Sequence, residues 1–132
     1  MNTETGELVK YRLYRAEEAL EEAEVLYKSN HLNASINRLY YACFYAVSAL
    51  LLNEGLSSSK HSGIRSLFVQ RWVKTGRVSK ELGQFYRQLF DYRQRSDYMD
   101  FVSYEKEQVL SLIEESKAFV CIIKSKVMKG TG

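Results

Sequence analysis

The stretch DYRQRSDYMDF, residues 91 to 101, sets two arginines, three aspartates and two tyrosines between apolar helical patterns. Arg93 is the residue there with the greatest chemical reach. Its planar guanidinium presents five donors in a fork that matches phosphate or carboxylate oxygens. Asp97 and Tyr98 are spaced to orient that fork, and Arg95 adds a second cation. A phosphate or nucleotide is the ligand such a group would hold. Proton transfer asks for a different residue. An imidazole takes and gives protons near neutrality, and the two histidines are His31 and His61. His61 opens an apolar stripe with Ile64, Phe68 and Trp72. There a hydrogen-bonded structural role competes with an acid/base or ligand-binding one. No CxxC or Cys/His spacing points to a metal, and nothing in the chain calls for a cofactor.

Helices must position these side chains. Proline is absent, and the glycines fall mostly between periodic segments, which predicts an all-α chain. Val9, Leu13, Ala16, Leu20, Ala23 and Tyr27 form one stripe, ended by Ser29-Asn30. A second helix is expected from about Leu32 to Asn53, apolar nearly all round and therefore central, with Gly55 closing it. A third follows the serines of SSSK, which can cap it, and stops near Gly76. The fourth starts at Ser79 and turns Leu82, Phe85, Tyr86, Leu89 and Phe90 inward. The fifth starts near Ser103 and carries Val109, Leu112, Ile113, Phe119, Val120, Ile123 and Val127. Short connections favour antiparallel neighbours, so the expected architecture is an up-and-down bundle of four to five helices. It forms one domain over 1–132, with its core at about 8–128.

On the fourth helix, Arg93 continues the side that carries Leu82, Tyr86 and Leu89, and Asp97 follows it four residues on. Arg95 points the opposite way, and Tyr98 lies well round the helix. Two readings fit. Structurally, Arg93 and Asp97 form an i,i+4 pair that closes the bundle end, with Tyr98 covering it. Functionally, they form a polar pocket at that end or at a subunit interface. Tyr40 and Tyr41 read as core residues whose hydroxyls reach a partner at the edge. Arg38, and the cluster Lys10, Arg12 and Arg15, read most simply as solvated. Cys43 and Cys121 read as small core residues rather than a disulfide.

Composition sets the outer limits. The chain has 132 residues, 45% hydrophobic and 27% charged, the range of an ordinary globular domain. The net charge of +3 permits nucleic-acid binding without arguing for it. No run approaches the roughly 18 apolar residues of a membrane span. The start, MNTETGELVK, lacks the basic and apolar regions of a secretory signal. A cytoplasmic location is expected.

Four segments together resemble the HEPN domains, prokaryotic helical bundles often encoded beside minimal nucleotidyltransferases. NRLYYACFYAVSALL (37 to 51) is similar to the central helix, and KHSGIRSLF (60 to 68) to the His-containing third. KTGRVSKELGQFYRQLFDYRQRSDY (74 to 98) is similar to the fourth helix with its arginine-bearing end, and FVSYEKEQVLSLIEESKAFV (101 to 120) to the closing helix. The resemblance runs from about Tyr11 to Lys126. It implies pairing of two bundles as a homodimer, with both motifs lining one cleft. It also implies a partner nucleotidyltransferase in a toxin–antitoxin-type pair, and RNA or a nucleotide as ligand.

Active members of that family are metal-independent ribonucleases with an Arg, four to six residues, then His. Arg93 matches the Arg, but the four-residue spacing lands on Tyr98, and Met99 and Asp100 follow. A phenol, titrating near pH ~10 unperturbed, is a poor base at neutrality, and acid–base catalysis is worth about 10²–10⁴-fold. The leading expectation is therefore a non-catalytic or weakly catalytic module that binds a nucleotide, RNA or a partner. The alternatives are a ribonuclease toxin using Arg93 with Tyr98 or His61 as a noncanonical acid/base, and a purely structural interaction domain.

Overall fold

The computed structural model describes residues 3–130. Met1, Asn2, Thr131 and Gly132, part of the span expected for the domain, lie outside the described residues. Five α-helices follow in order: α1 (Thr3–Lys28), α2 (Leu32–Asn53), α3 (His61–Phe68), α4 (Lys80–Tyr98) and α5 (Lys106–Gly130). Among the described residues there is no strand. α1, α2, α4 and α5 alternate in direction. Ser35 donates to the Ala23 carbonyl, Asn37 reaches Asp97, and Phe85 meets Phe119, each pair bringing consecutive long helices together antiparallel.

α2 is the axis. Its sequence puts an apolar or small residue at almost every position, and Ile36, Leu39, Tyr40, Ala42, Cys43, Ala46, Val47, Leu50 and Leu51 are all buried. Small residues let neighbouring backbones approach on several sides, which is why the helix tolerates partners all round. The stripe of α1 is buried as its spacing demands, from Val9 to Ala23, and Tyr27 packs against its edge. Aromatic rings fill the space between α2, α4 and α5: Tyr40 lies parallel to Tyr86, and Tyr86 stacks on Phe119.

The helix ends follow local chemistry. Asn30 and Gly55 take left-handed backbone angles, φ 63° and 78°, where a short polar side chain or none is favoured. Ser79 caps α4 by accepting from the Leu82 amide. Three expectations differ from the structure. α5 begins at Lys106 rather than near Ser103. Lys60, not a serine, holds the N-cap of α3 and gives no side-chain cap bond. Cys121 is exposed while Cys43 is buried; α5 turns Val120 and Ile123 inward, so Cys121 faces outward despite its apolar neighbours.

α3 continues into a π-helical turn, Val69–Val73, which the sequence periodicity does not announce. The turn swings Trp72 inward, and its indole N–H donates to Glu54 at 2.7 Å. Arg77 lies 3.5 Å over the same ring and pairs with Glu54, fastening the link between α3 and α4. At Gly83 a Cβ would come within 2.9 Å of a Val73 methyl, so any larger residue there would force that side chain to shift.

Candidate functional site

The last two turns of α4 converge on the first turns of α2 and α3. Arg93 sits where the inward face of α4 demands an apolar residue, and it is only 8% exposed. Its Nε donates to Asp97 Oδ2 at 3.1 Å. The same oxygen accepts from Asn37 Nδ2 at 2.9 Å, so α2 and α4 are joined through one carboxylate. The guanidinium carbon lies 5.1 Å from the Tyr40 ring centre, 5.4 Å from Tyr41 and 5.8 Å from Tyr98. Those ring faces favour a cation. They do not accept the full set of donors, and the two Nη nitrogens make no hydrogen bond among the described residues.

His61 completes the cluster from the start of α3. Its Nδ1 lies 2.8 Å from the Tyr40 hydroxyl. Its ring stacks on Phe44 at 4.3 Å and nearly parallel, and is half-buried. Burial pulls its pKa below the ordinary value, and the positive charge of Arg93 pulls it further the same way. His61 and Arg93 therefore border one another, both against Tyr40 and Tyr41. Burial pushes the Tyr40 hydroxyl up to about 12, an effect that Arg93 partly offsets. Tyr40 thus keeps its proton at neutral pH.

The candidate residues read from sequence separate as follows. Arg93, Asp97 and His61 come together, with Tyr98 at the rim and 71% exposed. Arg95 points to solvent on the other side of α4 and makes no ion pair or hydrogen bond among the described residues. Asn37, Tyr41 and Phe44 join the site without having been singled out for it; their spacing on α2 reads as packing, and only the position of α4 reveals the second use. Arg38 pairs with Glu22 over the Tyr41 ring. Among the described residues no three His, Cys, Asp or Glu side chains gather as a metal site.

Most of the chain matches a known family. The model for the HEPN domain matches residues 9–126. The chain belongs to the HEPN domain family. A relative from Thermotoga maritima named "UPF0332 protein" is 44% identical over 124 residues, covering 94% of each chain. Two relatives from Methanocaldococcus jannaschii carry the name "Putative toxin". One is 32% identical, covering 88% of this chain and 82% of its own length. The other is 30% identical, covering 94% and 92%. Among the described residues of this HEPN chain, no helix is long and apolar enough to cross a membrane.

Proposed function

We propose that this HEPN protein binds a phosphate of RNA or of a nucleotide through Arg93, as a homodimer, with little or no cleavage. The observation that carries the reading is a buried guanidinium with both Nη nitrogens lacking hydrogen bonds. Neither nitrogen is sealed from solvent, so an anion arriving from outside can reach both and make charge-assisted bonds. Tyr98 stands at the family's histidine spacing, beside Arg93, and a neutral phenol is a weak substitute for an imidazole.

The toxin name of two relatives favours a second reading. In it the chain is a ribonuclease toxin, or one half of a toxin–antitoxin-type pair with a minimal nucleotidyltransferase. The purely structural reading draws on the Arg93–Asp97–Asn37 bridge, which joins α2 to α4 whether or not a ligand comes.

The experiment is binding of a short single-stranded RNA, followed by fluorescence anisotropy, to wild type and Arg93→Met. Light scattering at tens of micromolar runs alongside. Salt-sensitive binding lost in the variant, on a dimer, supports the reading. Equal affinity in both proteins rejects Arg93 as the phosphate group, and a monomer rejects the shared cleft.

A further inference from the structure

We infer that His61 is the second arm of the Arg93 site: Tyr40 fixes its ring so that Nε2–H points a hydrogen-bond donor at a bound phosphate group. This deepens the proposed reading and rests on it. Three observations carry it: the 2.8 Å contact between Tyr40 and Nδ1, the shared borders with Arg93, and an Nε2 that has no hydrogen-bond partner among the described residues.

The direction of the Tyr40–His61 bond follows from where protons can go. The Tyr86 hydroxyl is buried beside Tyr40. It interacts with the Tyr40 hydroxyl but makes no bond of ordinary geometry among the described residues. Tyr86 is therefore no acceptor for the Tyr40 proton. If His61 Nδ1–H donated to Tyr40, the Tyr40 proton would be left buried with no acceptor within hydrogen-bond reach among the described residues. If Tyr40 instead donates to Nδ1, that proton is satisfied. Orphaned buried donors are rarer than under-used acceptors, so the second order is favoured. Nδ1 is then the bare nitrogen, and neutral His61 carries its proton on Nε2.

This has a chemical consequence. A general base needs a bare nitrogen facing the reacting hydroxyl. His61 in this tautomer offers a proton where a base would need a lone pair. It strengthens phosphate binding and does not by itself replace the acid/base group absent at position 98. The ligand class is a phosphate group, either a terminal monoester or an internal diester. The charged and titratable groups facing His61 are Tyr40 and Tyr41 from α2 and Arg93 from α4, with Arg65 one turn along its own helix. Against that positive surround, a bound phosphate raises the His61 pKa.

The test is nitrogen-15 imidazole NMR on the full chain at pH 7.5, with Arg93 Nε followed in parallel. The free protein should show Nδ1 bare and Nε2 protonated; the opposite tautomer overturns the inference. Inorganic phosphate, a 5′-mononucleotide and a dinucleotide are then titrated in turn. His61 Nε2–H and Arg93 Nε should shift together and saturate together, with the His61 pKa moving up. A response to the first two alone assigns the site to terminal phosphates, and a response to the dinucleotide to internal ones. If Arg93 responds and His61 does not, this inference falls and the Arg93 reading stands. If neither responds to any probe, both fall. His61→Phe keeps the stack on Phe44 and removes the donor, and phosphate should bind about tenfold more weakly; unchanged affinity counts against the donor. Tyr40→Phe keeps the ring and frees Nδ1, so the neutral His61 signals should move toward a tautomer mixture; an unmoved signature removes Tyr40 as the positioning residue.

Discussion

Removing Asp97 should harm this protein more than removing Arg93. The two side chains are 24% and 10% exposed. Breaking a fully buried pair costs about 3–5 kcal/mol, and an exposed one under about 1. Asp97→Ala strips the buried guanidinium of its one hydrogen-bonded counter-charge among the described residues. With water reaching part of the carboxylate site, the expected cost is about 1–2 kcal/mol. Arg93→Met is different. It gives up cation–π contacts worth about 0.5–1 kcal/mol each at partly exposed rings. It breaks no hydrogen bond of the two Nη nitrogens, which make none among the described residues, and it leaves Asp97 bonded to Asn37 at 2.9 Å. The net change should stay within about 1 kcal/mol. For a chain of this length 1 kcal/mol moves the midpoint by about 3–5 °C. Calorimetry and urea unfolding, at one fixed protein concentration because a dimer couples stability to concentration, read the order directly. The double variant should be no worse than Asp97→Ala alone. An Arg93→Met loss of about 3 kcal/mol or more, exceeding that of Asp97→Ala, would refute the reasoning and make Arg93 a structural anchor.

Wild type should cleave RNA poorly, while Tyr98→His restores the Arg-x4-His spacing and should raise cleavage by about 10²-fold or more, peaking near the histidine pKa. Robust wild-type cleavage that survives Tyr98→Phe would contradict this. His61 binds its proton less readily folded than unfolded, so the unfolded chain takes up more protons as pH falls below about 6.5 and stability drops there. That slope should flatten in His61→Phe, and an unchanged slope in denaturant titrations at pH 5 to 7.5 would sink the assignment. Phe101 holds a left-handed backbone at φ 61° with its ring fully in solvent. Phe101→Asn should therefore raise stability by about 0.5–1 kcal/mol, measured as a higher urea midpoint; a lower one would mean the ring is held by a partner.

The helices were legible because their stripes are unambiguous: Val9 to Ala23 on α1 and the all-round apolar α2 leave little choice of face. Arg93 and Asp97 were legible for the same reason, since a charged residue continuing the line of Leu82, Tyr86 and Leu89 must be paired or used. The meeting of His61 with Arg93 was not. Thirty-two positions separate them along the chain, and no local rule states where α3 lies against α4. Cys121 misled because composition around it is apolar while the helical angle at 121 points outward. The π turn was invisible because an inserted residue leaves no mark in a window already ending at Gly76.

That π turn sets a tolerance in chain length. α3 is tethered by His61 on Tyr40, and the π turn that extends it by Trp72 on Glu54, one partner within α2 and the other at its C-cap. A wider turn takes up one surplus residue between two such tethers without moving either. Gln70, exposed within the turn, is therefore the position where the chain could lose a residue and relax to an ordinary helix with both ends still docked. Relatives one residue shorter in this segment would keep the same histidine in the same place, so an alignment gap here marks a change of helical winding and not a lost piece of the site.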